Sequence, residues 1–182
     1  MRERSDEQLM KSYAGGSMEA FEHLYERHRG PLYRYILRLA GEPATANDLY
    51  QGSWEKIIKA RSRYKASAPF RAWMYRIAHN HVMDHFRRQH PDGDIAPDDI
   101  SSSQSGPDEQ LTKEIRGEEL LAAINSLPPE QKDTLILKLE TGLNLHTIAE
   151  VTGVKPETAK SRLRYAVRSL KKILVNQGLQ DG

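Results

Sequence analysis

Lys160, Arg164 and Arg168 recur at i, i+4, i+8 in the stretch LNLHTIAEVTGVKPETAKSRLRYAVRSLKKIL, with Thr158, Ser161, Arg162 and Tyr165 beside them. On a helix this spacing makes one row of cations flanked by hydroxyl, guanidinium and phenol groups. Cations of this kind position a protein on phosphates, and the flanking groups reach base edges. The chemistry is nucleic-acid recognition. The preceding residues supply the element that would hold the row: a short helix Leu145–Val151, a turn Thr152-Gly153-Val154, and Pro156 opening a second helix. Gly153 accepts a left-handed turn conformation and proline is at home in a first helical turn. Ala159, Leu163, Ala166, Leu170 and Ile173 then recur at steps of four and three on one face, with the cations opposite. A basic helix end is often only a solvated face; here turn, proline and apolar period agree on a helix-turn-helix.

Other arrangements that could do chemistry are weaker. His79, His81, His85 and His90 gather around Asp84, and His81 with His85 at i, i+4 could share a metal. No glutamate stands where a metalloprotease helix needs its base, and Arg87 and Arg88 adjoin the cluster, which suits a polar face near nucleic acid better. The expectation is no metal and no cofactor. There is no glycine-rich phosphate loop, nucleophile elbow or paired-carboxylate site, so the chain reads as a non-enzyme without a small-molecule substrate.

The 182 residues suffice for one large or two small domains. Absence of cysteine excludes a disulfide framework, fits the reducing cytoplasm, and no run resembles a signal peptide or a membrane span. The net charge of +2 conceals segregation: residues 1–90 carry 16 lysines and arginines against 10 carboxylates, residues 91–110 none against 6, and residues 111–182 carry 11 against 9. The acidic segment HPDGDIAPDDISSSQSGPDEQ, His90 to Gln110, holds three prolines, two glycines and a serine cluster, and reads as a flexible linker. On either side the pattern is helical: about 5–14 with Ser5 and Gln8 as a capping box, 17–40, 45–61 and 69–88, then 110–125, 129–140, 145–151 and 156–175. In the helix at 69–88, Phe70, Trp73, Ile77 and Ala78 are spaced to face a core. Strand-like alternation is missing, so the class is all-α with two helical domains.

The run PFRAWMYRIAHNHVMDHFRR at 69–88, placed after DLYQGSW at 48–54 and ahead of LPPEQKDTLILKLETGLNLHTIAEVTGVKPETAKSRL at 127–163, closely resembles a bacterial RNA polymerase sigma factor of the small extracytoplasmic-function (ECF) group of the sigma-70 family. The resemblance covers essentially the whole chain. It implies a region 2 domain at 1–90 that grips the β′ clamp helices of core RNA polymerase and reads the −10 promoter element. Residues 91–110 would be the acidic linker, lying in the polymerase cleft or RNA exit path. A region 4 domain at 111–182 would sit on the β flap and read the −35 element through Thr158, Lys160, Ser161, Arg162, Arg164, Tyr165 and Arg168. An anti-sigma factor is the usual further partner. A linker of about 20 residues reaches at most roughly 66–72 Å, and the two elements lie about 17 base pairs, or about 58 Å, apart.

Opening a promoter requires extruded bases to be stacked, pocketed and flanked by cations. The segment Arg61 to Pro69 offers Arg63, Tyr64, Lys65 and Ser67 for that pocket. Resemblance directs Asn80 toward DNA, with Asp84 one turn on and Arg76, Arg87 and Arg88 for the strand; an asparagine presents both a donor and an acceptor to a base edge. Asp48, Gln51 and Trp54 fall on the polymerase-binding helix. There the chain departs from the family, whose acidic D-A-E-D-L-x-Q-E-x-F pattern appears as Thr45-Ala46-Asn47-Asp48-Leu49-Tyr50-Gln51-Gly52-Ser53-Trp54. Carboxylates are missing at 45, 47 and 52. Thr45 reads as the helix N-cap, Thr45 and Ser53 as sites where phosphorylation could restore charge, and Gly52 as a weak point costing about 1 kcal/mol of helix propensity relative to alanine. The competing reading is an ordinary helix-turn-helix regulator whose N-terminal helices sense or dimerise. A sigma mimic that only titrates a regulatory partner is a third reading, though it would not need the basic row at 160–168.

Overall fold

The computed structural model describes residues 3–91 and 117–178, and within them the regular structure is entirely helical. Most of the acidic linker, and the part of the expected 110–125 helix before Gly117, lie outside the described residues.

Side-chain caps or a first-turn proline set most helix starts. Helix α1 is Asp6–Ala14; Ser5 accepts from the Gln8 N–H at 3.3 Å, and the Gln8 side chain accepts from the Ser5 N–H at 3.0 Å, the expected capping box. Helix α2 is Met18–Ala40, capped by Ser17 and ended by Gly41 at φ 74°. Pro31 lies inside α2, where a missing hydrogen bond and ring clash disfavour helix. The helix persists because Leu24, Leu32, Tyr35, Ile36 and Leu39 bury one side of it.

Helix α3 is Pro43–Ala60 with Glu42 at the N-cap. Thr45 is therefore not the cap: it lies in the first turn, and its hydroxyl donates to Glu42 Oε2 at 3.2 Å. Proline at the first position moved the start two residues upstream of the expected 45. One 3-10 turn, Arg61–Arg63, leads on to α4, Phe70–Gln89. Pro69 offers α4 no side-chain cap; Glu7 of α1 does so instead, accepting the Phe70 N–H at 3.0 Å. That bond holds the Glu7 carboxyl below its ordinary value.

The remaining helices are α5 (Gly117–Asn125), α6 (Pro129–Thr141), α7 (Leu145–Thr152) and α8 (Pro156–Gly178). Asn144 caps α7 through the Thr147 N–H at 2.9 Å, and Gly153 ends it at φ 72°. This is the expected turn, and α8 opens on Pro156 as its spacing predicts.

Helices α1 to α4 pack around Leu9, Leu24, Leu32, Ile57, Phe70, Met74 and Tyr75, whereas α6 and α7 support α8 through Ile136, Leu137, Ile148, Val151, Ala159 and Ala166. The two groups also touch: α2 packs on α6, and α4 on α7.

Candidate nucleic-acid interface

Ala159 and Ala166 of α8 are fully buried, with Leu163 and Leu170 packed partly in, so the helix is fixed on its apolar face. Lys160 and Arg164 are consequently exposed, and the Arg164 guanidinium stands 5.6 Å from the Tyr165 ring centroid. That contact pre-orders two groups on the presented face. Thr158, Ser161, Arg162, Tyr165 and Arg168 are half-buried. Arg162 Nε is enclosed with no hydrogen-bond partner among the described residues, so part of that guanidinium is turned inward. Lys160 and Arg164 are thus the foremost cations of the row.

On the other half, Arg63, Lys65 and Ser67 are exposed in the approach to α4, and Arg76, Asn80, Arg87 and Arg88 are exposed along it. Tyr64 is half-buried between them. Its hydroxyl donates to the Ala68 carbonyl at 2.6 Å and its ring meets Phe70 and Trp73 edge-on at 6.1 and 5.2 Å. Burial pushes its phenol pKa up. An aromatic so engaged props the segment while staying half-buried. Asp84, half-buried, accepts from the exposed Arg87 at 2.7 Å, a solvated pair within one turn of α4.

The histidines do not converge. His79 is buried against α6, and His81 packs over Gly52 of α3. Burial, with Lys56 and Arg88 nearby, pushes the His81 pKa down. Among the described residues no group of three or more ligating side chains is placed to hold a metal.

On α3, Asp48 and Gln51 are exposed, but Trp54 is 6% exposed. Its ring lies 5.0 Å from Tyr25, 6.0 Å from Phe21 and 6.4 Å from Tyr50. Trp54 therefore supports this face from beneath. Burial raises the neighbouring Tyr50 phenol to about 12. Ser53 is fully buried and its hydroxyl donates to the Leu49 carbonyl at 2.8 Å, so a kinase has no access to it in this arrangement. Gly52 lies under His81: a Cβ there would be 2.4 Å from His81 Nε2, so the imidazole would have to shift to admit one.

Sequence reasoning missed Glu7, Asp133 and Glu140. Asp133 carried a signal: it precedes Ile136 and Leu137 at i+3 and i+4, on the inward face of its helix, where an unpaired carboxylate would be costly.

Two family models match this chain, Sigma-70 region 2 over residues 24–91 and Sigma-70, region 4 over residues 123–172. The ECF RNA polymerase sigma factor SigL of Mycobacterium tuberculosis is 31% identical over 86% of this chain and 89% of its own. RNA polymerase sigma factor CarQ of Myxococcus xanthus is 27% identical over 91% of this chain and 95% of its own. Among solved structures, the sigma factor RpoE of Bartonella quintana, crystallised with the anti-sigma factor NepR, shares the fold at a TM-score of 0.69 and 19% identity, covering 86% of this chain and 98% of that one.

Proposed function

Because the chain belongs to the ECF group of sigma-70 family RNA polymerase sigma factors, we propose that its two exposed basic surfaces divide promoter recognition between them. The protein binds core RNA polymerase and directs transcription initiation. A regulator that touches DNA only through its C-terminal helices is not favoured, since the family match extends through α2 to α4.

In this reading α8 reads the −35 element, Lys160 and Arg164 leading and Thr158, Ser161, Arg162, Tyr165 and Arg168 flanking. The −10 element meets Asn80, with Arg63, Lys65, Ser67, Arg76, Arg87 and Arg88 along the strand. Asp48 and Gln51 meet the polymerase over an aromatic base that includes Trp54. Residues 1–90 act as the region 2 unit and 111–182 as the region 4 unit, with the linker between them. The protein adds no catalysis of its own; it works in the cytoplasm beside the polymerase, and its release is governed by an anti-sigma factor, as NepR binds RpoE in the solved complex. Among the described residues no helix is long and apolar enough to cross a membrane.

The observation that carries this reading is the pairing of an exposed Lys160 and Arg164 on a helix seated on α7 with the region 4 match across the same residues. Run-off transcription with purified core polymerase on a promoter library tests it. A transcript dependent on this chain is expected; none from any promoter refutes it.

A further inference from the structure

The contact between the two halves is built around one buried carboxylate. Asp133 of α6 is 1% exposed. Its Oδ1 accepts from the Tyr35 hydroxyl of α2 at 2.7 Å, and its Oδ2 lies 2.7 Å from His79 Nδ1 of α4. The His79 approach is an ionic contact when the ring is protonated, not an aligned hydrogen bond. Around it, Arg34 and Arg38 of α2 pair with Glu140 of α6, Arg71 of α4 donates to the Thr141 carbonyl, and Lys132 donates to the Leu39 carbonyl at 3.2 Å. Arg34 and Arg38 are largely solvated, so their pairs are weak and easily exchanged for water. Asp133 is different. A carboxylate taken out of water is tolerated only while its partners stay in place, and it regains hydration as soon as the halves part.

Helices in direct contact lie about 8–10 Å apart axis to axis, and α4 packs directly on α7, the helix that seats α8. While α2 stays seated on α6 and α4 on α7, the two halves cannot spread along DNA toward the −10 and −35 elements, which lie about 58 Å apart. We propose that Asp133, clasped between Tyr35 and His79, is the latch of a closed, autoinhibited state in which region 2 and region 4 are kept from engaging a promoter together. This rests on the sigma-factor reading above. Removing one partner strands the charge and favours opening; removing the charge with both partners, in favour of apolar groups, restores the closed state.

The chain has no cysteine, so cysteines placed at the exposed Glu22 of α2 and Lys172 of α8 take a donor and acceptor dye on the full-length protein. High energy transfer is expected for the parent. Tyr35→Phe removes only the hydroxyl and keeps the ring against Tyr75, 5.5 Å away, so it retains its core packing. Tyr35→Phe and His79→Leu should each shift the open-to-closed ratio by about tenfold to a hundredfold, lowering transfer and raising promoter-duplex binding without polymerase. The triple variant Tyr35→Phe, His79→Leu, Asp133→Leu should return to high transfer. Low transfer in the parent, unchanged transfer in both single variants, or opening without a gain in promoter binding would each overturn the latch. Failure of the sigma-factor reading registers separately, as no polymerase-dependent transcript from the parent chain, while the transfer measurement needs no polymerase.

Discussion

Gly52→Ala is the substitution whose sign distinguishes local propensity from tertiary packing. Taken as a helix position alone, Gly52 in α3 should gain about 1 kcal/mol on replacement by alanine. The structure reverses this. A Cβ at Gly52 would sit 2.4 Å from His81 Nε2, 3.1 Å from Cε1 and 3.3 Å from Cδ2, so the half-buried imidazole must move off its site. Overpacking of that kind costs about 1–3 kcal/mol. Set against the propensity gain, Gly52→Ala should be neutral or destabilising by up to about 2 kcal/mol. In a His81→Ala background the clash is gone, and the same substitution should stabilise by about 1 kcal/mol. Urea unfolding of the parent, both single variants and the double variant gives a coupling energy of about 1–3 kcal/mol if the reasoning holds. A Gly52→Ala variant more stable than the parent while His81 is present would refute it. Gly52→Glu inherits the same clash, so restoring the family's carboxylate at 52 should not tighten polymerase binding unless His81 is also reduced, whereas Asn47→Glu, at an exposed position, carries no such cost.

The Glu7 carboxyl is held below its ordinary value of 4.5 chiefly by the Phe70 N–H, so its contribution is present above that value and is lost as pH falls through the lower folded-state value. Glu7→Gln should flatten the acid limb of the stability profile, and Glu7→Ala should cost about 1 kcal/mol, or about 2–4 °C in melting temperature for a chain of this size; an unchanged acid limb in Glu7→Gln argues against the cap. Lys160→Ala and Arg164→Ala should weaken upstream-promoter binding, a phosphate contact lowering the salt slope by about one and a base contact costing about 1–3 kcal/mol at one position; filter binding across salt and sequence separates them, and parent-like binding by both removes α8 as the reader. Asn80→Ala should reduce permanganate reactivity of melted thymines while polymerase binding is retained, and loss of polymerase binding instead would move Asn80 to the other surface.

Local chemistry determined much of this protein. Ser5 with Gln8, Gly153 and Pro156 fixed the ends of α1, α7 and α8 because caps and turns are satisfied within a few residues, and the apolar period of α8 settled which of its sides could face outward. Where a partner lay far along the chain, local reading failed. Phe70 of α4 is capped by Glu7, 63 residues away; Trp54, expected on the polymerase-binding helix, is buried among Phe21, Tyr25 and Tyr50; and Gly52 looks like a weak helix position until His81 occupies the space its missing side chain leaves. Asp133 is the extreme case, since its cost and its role both come from Tyr35 and His79 on two other helices. Helix period and capping act over a few residues and are written in the sequence, whereas desolvation and steric exclusion depend on what the rest of the chain brings within a few ångströms.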